Sequence, residues 1–382
     1  MKFVIITTPL GQGHNAVAAN LSAYLDKKGV SNKTNDLYEY IQPKIKDIIS
    51  AGYFFSMKSA AAVKGFASDF YGKRDKKAVN SEYSIAHITN QILASQLKKF
   101  LLENAPDVVI CTQVFAAQVV NILKEKKAIS ALAVGIITDF TVQNLWEDTQ
   151  HFDYIVTGNE RLAYQLSTRN IVSSKVLPLG IPIHEKFTMS MDKLEARKQL
   201  KLSPYRNTLL VMSGGMGFGN MEKYILELSR SGMDIQIIVV CGKNKRMYHR
   251  INRLEVDMPL HILDYVDNVD VLMSAADGIL TKPGGITSSE SLAKHLPMIM
   301  IDPLPGVEDR NVEFLLNNGA ALLVTKTFTI TEAVRLLFEY PETKKHLLQG
   351  INMLAKPYAT QQLCDFLIEK VGQNSQQSVQ TV

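Results

Sequence analysis

Cysteine is scarce in this chain of 382 residues: Cys111, Cys241 and Cys364 stand far apart and form no Cys-x-x-Cys pair. That excludes a disulfide scaffold or a zinc module and fits a reducing compartment. Long apolar runs are missing too. The longest, about Ala131–Ile137, falls far short of the ~20 residues a membrane-spanning helix needs. Phe3-Val4-Ile5-Ile6 after Lys2 has the look of a signal-peptide start, but Pro9, Gly11 and Gly13 interrupt it; the expectation is a cytoplasmic protein. Neither sign of charge dominates, with 42 Lys and Arg against 37 Asp and Glu. With 46% hydrophobic residues, the composition excludes a disordered or low-complexity chain. A Walker Gly-Lys-Ser/Thr ending is absent, as is an Asp-x-Asp metal motif after a strand, and no internal repeat is visible.

What is present is alternation. Short β-branched runs at Phe3–Thr8, Asp107–Thr112, Ala133–Ile137 and Asp153–Thr157 read as buried strands, with helices at Gln113–Lys124 and Glu160–Ser167 between them. A second series runs through Thr208–Ser213, Ile235–Cys241, His261–Tyr265, Gly278–Thr281, Met298–Ile301 and Ala320–Val324. Such alternation predicts parallel sheets of βαβ units. The expected fold is α/β, two doubly wound Rossmann-like domains facing each other across a cleft. Pro182–Arg206 separates the two series, and Asp192–Leu202 within it reads as a charged helix closed by Ser203-Pro204. The domains are placed at 1–182 and 183–355, with a helix at about 356–372 packing back on the first domain. The Gln- and Ser-rich residues 373–382 are expected to fray.

The mild net charge is unevenly placed. Between Ile41 and Lys77 eight basic residues face three acidic ones, and the basic residues alternate with aromatics. Phe54, Phe55, Lys58, Lys64, Phe66, Lys73 and Arg74 form the densest part. Interleaved cations and aromatics suit an anionic membrane surface. The plainer alternative is a helical pair with a solvated basic face. Nucleic acid is disfavoured, because no recognisable nucleic-acid module accompanies the patch.

Three loops after strands carry the candidate chemistry, since ligands of doubly wound sheets bind at the carboxyl ends of strands. In the first, Gly11-Gln12-Gly13-His14-Asn15-Ala16, the spacing satisfies Gly-x-Gly-x-x-Ala, and Asp36 follows twenty residues later. A dinucleotide site is disfavoured because Pro9 and Leu10 hold the first glycine away from the strand end. His14 opens a helix, where the dipole favours the neutral, proton-accepting imidazole; a merely capping histidine is the alternative. In the second, Ser213–Asn220, glycines Gly214, Gly215 and Gly217 let backbone amides converge on a phosphate. The third runs Thr281-Lys282-Pro283-Gly284-Gly285-Ile286-Thr287-Ser288-Ser289-Glu290, and the following strand leads to Pro305-Gly306-Val307-Glu308-Asp309-Arg310-Asn311. An ordinary capped turn accounts for its glycines and hydroxyls but not for the ordered set.

That third block resembles the donor-binding signature of inverting GT-B glycosyltransferases. With Gly13-His14, Thr138-Asp139-Phe140 followed by Trp146, and the Gly214–Gly219 loop, nearly the whole chain is similar to the diacylglycerol glycosyltransferases. These comprise the monogalactosyldiacylglycerol synthases and the processive diacylglycerol glucosyltransferases; the peptidoglycan UDP-GlcNAc transferase is a more distant likeness. The resemblance implies His14 as catalytic base, with Asp139 assisting it. It puts the pyrophosphate of a UDP-sugar at Gly284, Gly285, Thr287 and Ser288, the ribose at Glu290, the uracil beside Val266, and the hexose at Glu308 and Asn311. It also implies that segment 41–77 docks the membrane and its lipid, with Gln143 and Trp146 on the acceptor side. Gln143 stands where many members carry histidine, and Gly-Gln-Gly-His-Asn replaces the more usual Gly-Gly-His-Arg; both departures fall on the acceptor side.

The reaction implied is an inverting, metal-independent transfer of a hexose from UDP-glucose or UDP-galactose to diacylglycerol or a similar lipid, by an enzyme peripherally associated with the membrane. No cofactor beyond the UDP-sugar co-substrate is expected. The competing readings are a GT-B enzyme acting on a soluble acceptor, a UDP-GlcNAc epimerase, and a non-catalytic UDP-sugar-binding protein.

Overall fold

The computed structural model describes residues 1–8, 12–40, 85–214, 220–304 and 308–380, with only the backbone given at 40, 85–89 and 374–380. Packing divides the chain into two units, Met1–His184 with Tyr358–Val382, and Glu185–Leu304 with Glu308–Pro357.

The first unit is built on six strands: β1 (Lys2–Thr7), β2 (Ser31–Asp36), β3 (Val108–Cys111), β4 (Leu132–Ile136), β5 (Tyr154–Val156) and β6 (Val176–Leu177). They pair in parallel in the order β2-β1-β3-β4-β5-β6. The chain passes from β1 outward to β2, then returns to the other side of β1 with β3. The carboxyl ends of β1 and β3 therefore flank the switch point at which doubly wound sheets bind ligands. Central strands are apolar on both faces because helices cover both: Phe3–Ile6 and Val108–Cys111 have no exposed surface. Gly135 on β4 is required by packing, since a Cβ there would come within 2.6 Å of the Trp146 ring. Trp146 is accordingly 3% exposed and belongs to the core. An indole over a glycine of the central sheet has its apolar area taken up by packing.

The carboxyl-terminal helix, Ala359–Gln380, belongs to this first unit. Tyr24 Oη donates to both carboxylate oxygens of Asp365 at 3.3 and 3.1 Å, and Lys28 pairs with Asp365 at 2.9 Å. Thr360 Oγ1 donates to the Ile183 carbonyl, and Tyr154 meets Phe366 edge to face. The helical backbone carries on to Gln380. Gln and Ser carry little helix penalty, and no proline interrupts.

The second unit repeats the design with β7 (Asn207–Met212), β8 (Ile235–Val240), β9 (Leu260–Leu263), β10 (Gly278–Thr281), β11 (Met298–Met300) and β12 (Ala321–Leu323). Their order is β12-β11-β10-β7-β8-β9, again all parallel. Here the switch point lies between β7 and β10.

The entry to this unit is fixed by charge. Asp277, just before β10, accepts from Arg197 Nη2 at 2.6 Å, Lys193 Nζ at 2.5 Å and the Thr208 backbone N–H at 2.9 Å. Arg197 also donates to the carbonyls of Ala275 and Pro204. Burial alone would push the Asp277 carboxyl up, but Lys193, the Thr208 amide and Arg197 together hold it below the usual carboxylate range. Removing one partner of a buried pair leaves the other charge uncompensated. Asp277→Ala is therefore expected to cost about 3–5 kcal/mol in urea unfolding. A group with a depressed folded pKa lends stability above its unfolded pKa and loses it as pH falls. The gap between variant and wild type should accordingly narrow on acidification below pH ~4.

Candidate functional site

In the first unit His14 lies in the opening turn of the helix Gln12–Lys27, directly after the β1 loop. Thr7 Oγ1, at the end of β1, donates to Asn15 Oδ1 at 2.8 Å and so fixes where that helix starts. His14 Nδ1 lies 2.8 Å from the Thr112 carbonyl, which follows β3, and 3.0 Å from Thr138 Oγ1, which follows β4. A carbonyl can only accept, so Nδ1 carries the proton in the neutral ring and Nε2 holds the lone pair. The imidazole is thereby oriented across the switch point by two further strands. Burial lowers its pKa below the ordinary value, while the Asp139 charge and the Thr112 carbonyl oppose that shift. Asp139 also accepts from Gln143 Nε2 at 3.4 Å. The loop carrying them is braced by Gln165, whose Oε1 accepts from Thr141 Oγ1 and Val142 N, and by Arg169, which donates to Asn144 Oδ1.

His14 stands out by residue type and by its place at a helix start, and Asp139 follows from the resemblance. Thr112 acts through its backbone carbonyl and so leaves no signature in the sequence. Phe54, Phe55, Lys58, Lys64, Phe66, Lys73 and Arg74 lie outside the described residues, as do Gly215 and Gly217.

In the second unit the loops after β7, β10 and β11 contribute. Gly214 follows β7 with a φ of +63°, a left-handed conformation that favours glycine. Gly284 caps the helix Gly285–Ala293, and a Cβ built on it would touch nothing within 4 Å. Its φ of −73° suits any residue, so neither packing nor backbone conformation demands glycine there. A helix N-terminus with no side chain over it is open to the approach of an anion. Gly284→Ala is expected to leave the thermal unfolding midpoint within about 1–2 °C of wild type and to weaken UDP binding, as read by titration calorimetry.

The hydroxyls behind this helix end divide into two kinds. Ser289 and Ser291 donate back to the carbonyls of Gly285 and Thr287. Ser288 Oγ and Thr281 Oγ1 are buried without a hydrogen-bond partner among the described residues, an arrangement that calls for an explanation. Glu290 lies one turn in and is partly buried. Burial pushes its carboxyl up to about 8, with Lys186 pulling it down and Asp270 adding to the rise.

Glu308 closes its own turn: its Oε2 accepts from the Leu304 N–H at 2.8 Å while its N–H donates to the Leu304 carbonyl. Asn311, placed against the sugar by the resemblance, is fully buried, and its Nδ2 donates to the Pro283 carbonyl at 2.9 Å. The amide thereby braces the turn that begins the Gly285 helix. Asp302, after β11, adopts a φ of +44° and accepts from Tyr224 Oη at 2.7 Å. Val266, in the turn after β9, is partly buried; beside it Tyr265 lies under Lys243, 5.6 Å from ring centroid to ammonium. Among the described residues no three His, Cys, Asp or Glu side chains come together as a metal site. No described helix is long and apolar enough to cross a membrane.

Two parallel sheets, each with its candidate loops at a switch point, define a GT-B protein, and comparison with known proteins agrees. Residues 14–183 match the monogalactosyldiacylglycerol (MGDG) synthase family model, and residues 208–349 match the glycosyltransferase family 28 C-terminal domain. The first match falls within the first unit and the second within the second. It is 29% identical to a processive diacylglycerol β-glucosyltransferase of Bacillus licheniformis over 100% of this chain and 98% of the relative. Among solved structures it is similar in fold to Acinetobacter baumannii MurG, with a TM-score of 0.60 and 13% identity over 96% of this chain and 99% of the other. A UDP-GlcNAc 2-epimerase of Neisseria meningitidis bound to UDP-GlcNAc gives a TM-score of 0.61 at 17% identity over 97% and 100%. Fold likeness thus covers transferases and epimerases alike, and the family matches are what separate them.

Proposed function

We propose that this glycosyltransferase moves a hexose from UDP-glucose or UDP-galactose to the free hydroxyl of diacylglycerol at the cytoplasmic membrane surface, with inversion and without a metal cofactor. The observation that carries this reading is the tautomer of His14. Its Nδ1 proton is held by the Thr112 carbonyl, leaving Nε2 to take the acceptor proton within the segment matched to MGDG synthase. Asp139 stabilises the imidazolium as it forms. The UDP leaving group departs onto the N-terminus of the Gly285–Ala293 helix and the amides of the Gly214–Gly219 loop. Glu290 accepts from the ribose hydroxyls, Val266 flanks the uracil and Glu308 approaches the hexose. The basic and aromatic residues of 41–77 hold the enzyme on anionic lipid.

The test is UDP release from each donor in the presence of diacylglycerol in anionic vesicles. Lipid-dependent release supports the reading. Equal release without lipid points to a soluble acceptor, and UDP binding with no release to any acceptor points to a non-catalytic sugar-nucleotide protein. Interconversion of the donor's epimers would make the chain an epimerase.

A further inference from the structure

Lys186 is absorbed by none of the roles above, yet it sits where several of them meet. It lies in the single-turn helix Glu185–Thr188, which packs against the helix Gly285–Ala293 that carries Glu290. Its Nζ donates to the Asp267 carbonyl, at the end of the Asp264–Asp267 turn that contains Val266. The same ammonium pairs with Asp270 at 3.5 Å, and both side chains are largely buried, 30% and 21% exposed. The stem crosses Phe187, with the ammonium 5.5 Å from the ring centroid. One cation thus joins the turn assigned to the base, the helix Val269–Ala275 that carries Asp270, and the surroundings of the carboxylate assigned to the ribose.

The charges acting on Glu290 are few. Lys186 favours its ionised form and Asp270 opposes it. Lys294, one turn further along the same helix, donates to the Met189 carbonyl and Ser274 Oγ.

We propose that Lys186 is a positioning residue for the nucleoside diphosphate: it ties the Val266 turn to Asp270 and supplies the positive charge that keeps Glu290 ready to accept the ribose hydroxyls. The proposal rests on the reading of Glu290 as the ribose ligand. Lys186 acts through the two elements that touch the nucleoside rather than on the reacting atoms, so its loss appears in KM for the donor with kcat little changed.

The probe is UDP, titrated calorimetrically into the full chain between pH 6 and 9. If ionised Glu290 binds the ribose, UDP affinity rises with pH and levels off near the carboxyl's pKa, at about 8 in wild type. Removing a charge that favours the ionised form raises the carboxyl's pKa. Lys186→Met should therefore move that plateau upward and weaken UDP severalfold at pH 7. Lys186→Arg should restore most of the affinity. Asp270→Asn removes the opposing charge and should move the plateau downward. A general loosening of the fold does not produce opposite displacements from the two variants. If Lys186→Met and Asp270→Asn leave affinity and profile as in wild type while Glu290→Gln weakens UDP, the role of Lys186 is overturned and Glu290 keeps its own. If Glu290→Gln leaves UDP affinity unchanged, the ribose reading fails and the role of Lys186 fails with it.

Discussion

Replacing His14 with alanine is expected to lower sugar transfer by about 10²–10⁴-fold, the usual contribution of a positioned general base, while UDP binds as before. The separation follows from the fold: His14 belongs to the first unit, whereas every group assigned to UDP belongs to the second. The pH profile carries the sharper test. Burial holds the His14 pKa below 6.5, so the ring is neutral through the physiological range and the acid limb of kcat/KM lies below that of an ordinary histidine. Asp139 favours the imidazolium. Asp139→Asn should therefore move the acid limb to still lower pH and reduce kcat, because the cation formed in the transition state has lost its counter-charge. Thr138→Val removes a contact of 3.0 Å to Nδ1 but leaves the Thr112 carbonyl in place, and its effect should be far smaller. Full transfer by the His14 variant, or an acid limb that ignores Asp139, would assign the proton to another group.

How much of this was legible beforehand depended on burial. Strands such as Ile235–Val240 and Val108–Cys111, covered on both faces, announce themselves as apolar runs. The edge strand Ser31–Asp36 has one buried side chain, that of Asn35, and its polar sequence concealed it. The two-residue Val176–Leu177 was likewise too short to show. His14 could be chosen from residue type and its place after a strand, and Glu290 from the resemblance of its block to a donor-binding signature. Trp146 and Asn311 could not be placed, because a sequence does not say that an indole is opposite a glycine two strands' worth of chain away, or that an amide braces a proline carbonyl. Backbone groups escape altogether: the Thr112 carbonyl selects the tautomer of His14 whatever side chain residue 112 bears. The carriers of charge around Glu290 were hidden for a related reason. Lys186 and Asp270 approach it through packing of separate elements, with no spacing in the chain to betray them.

Glu290→Gln should have opposite effects on binding and on stability, and both follow from one carboxyl. The fold raises its pKa from 4.5 to about 8, so the folded chain favours the protonated form. A group raised in this way contributes stability that is fully present below its unfolded pKa and declines as pH rises through the folded value. Wild type should therefore lose stability between pH 4.5 and 8, the range in which the unfolded chain ionises at position 290 before the folded one does. Glutamine does not titrate. The unfolding midpoint of the variant should match or trail wild type at pH 5 and exceed it at pH 8.5, at about 2–4 °C per kcal/mol for a domain of this size. UDP affinity should fall at the same time, because a neutral amide accepts the ribose hydroxyls less strongly than a carboxylate does. Saturating UDP should then stabilise wild type more than the variant, in proportion to the difference in affinity. A carboxylate retained for structure alone predicts the reverse pairing: lower stability at every pH and unaltered UDP binding. Scanning calorimetry at pH 5 and 8.5, with and without UDP, separates the two outcomes, and a gain in stability coupled to a loss of binding would show that this helix keeps its buried acid for the ligand at the expense of the fold.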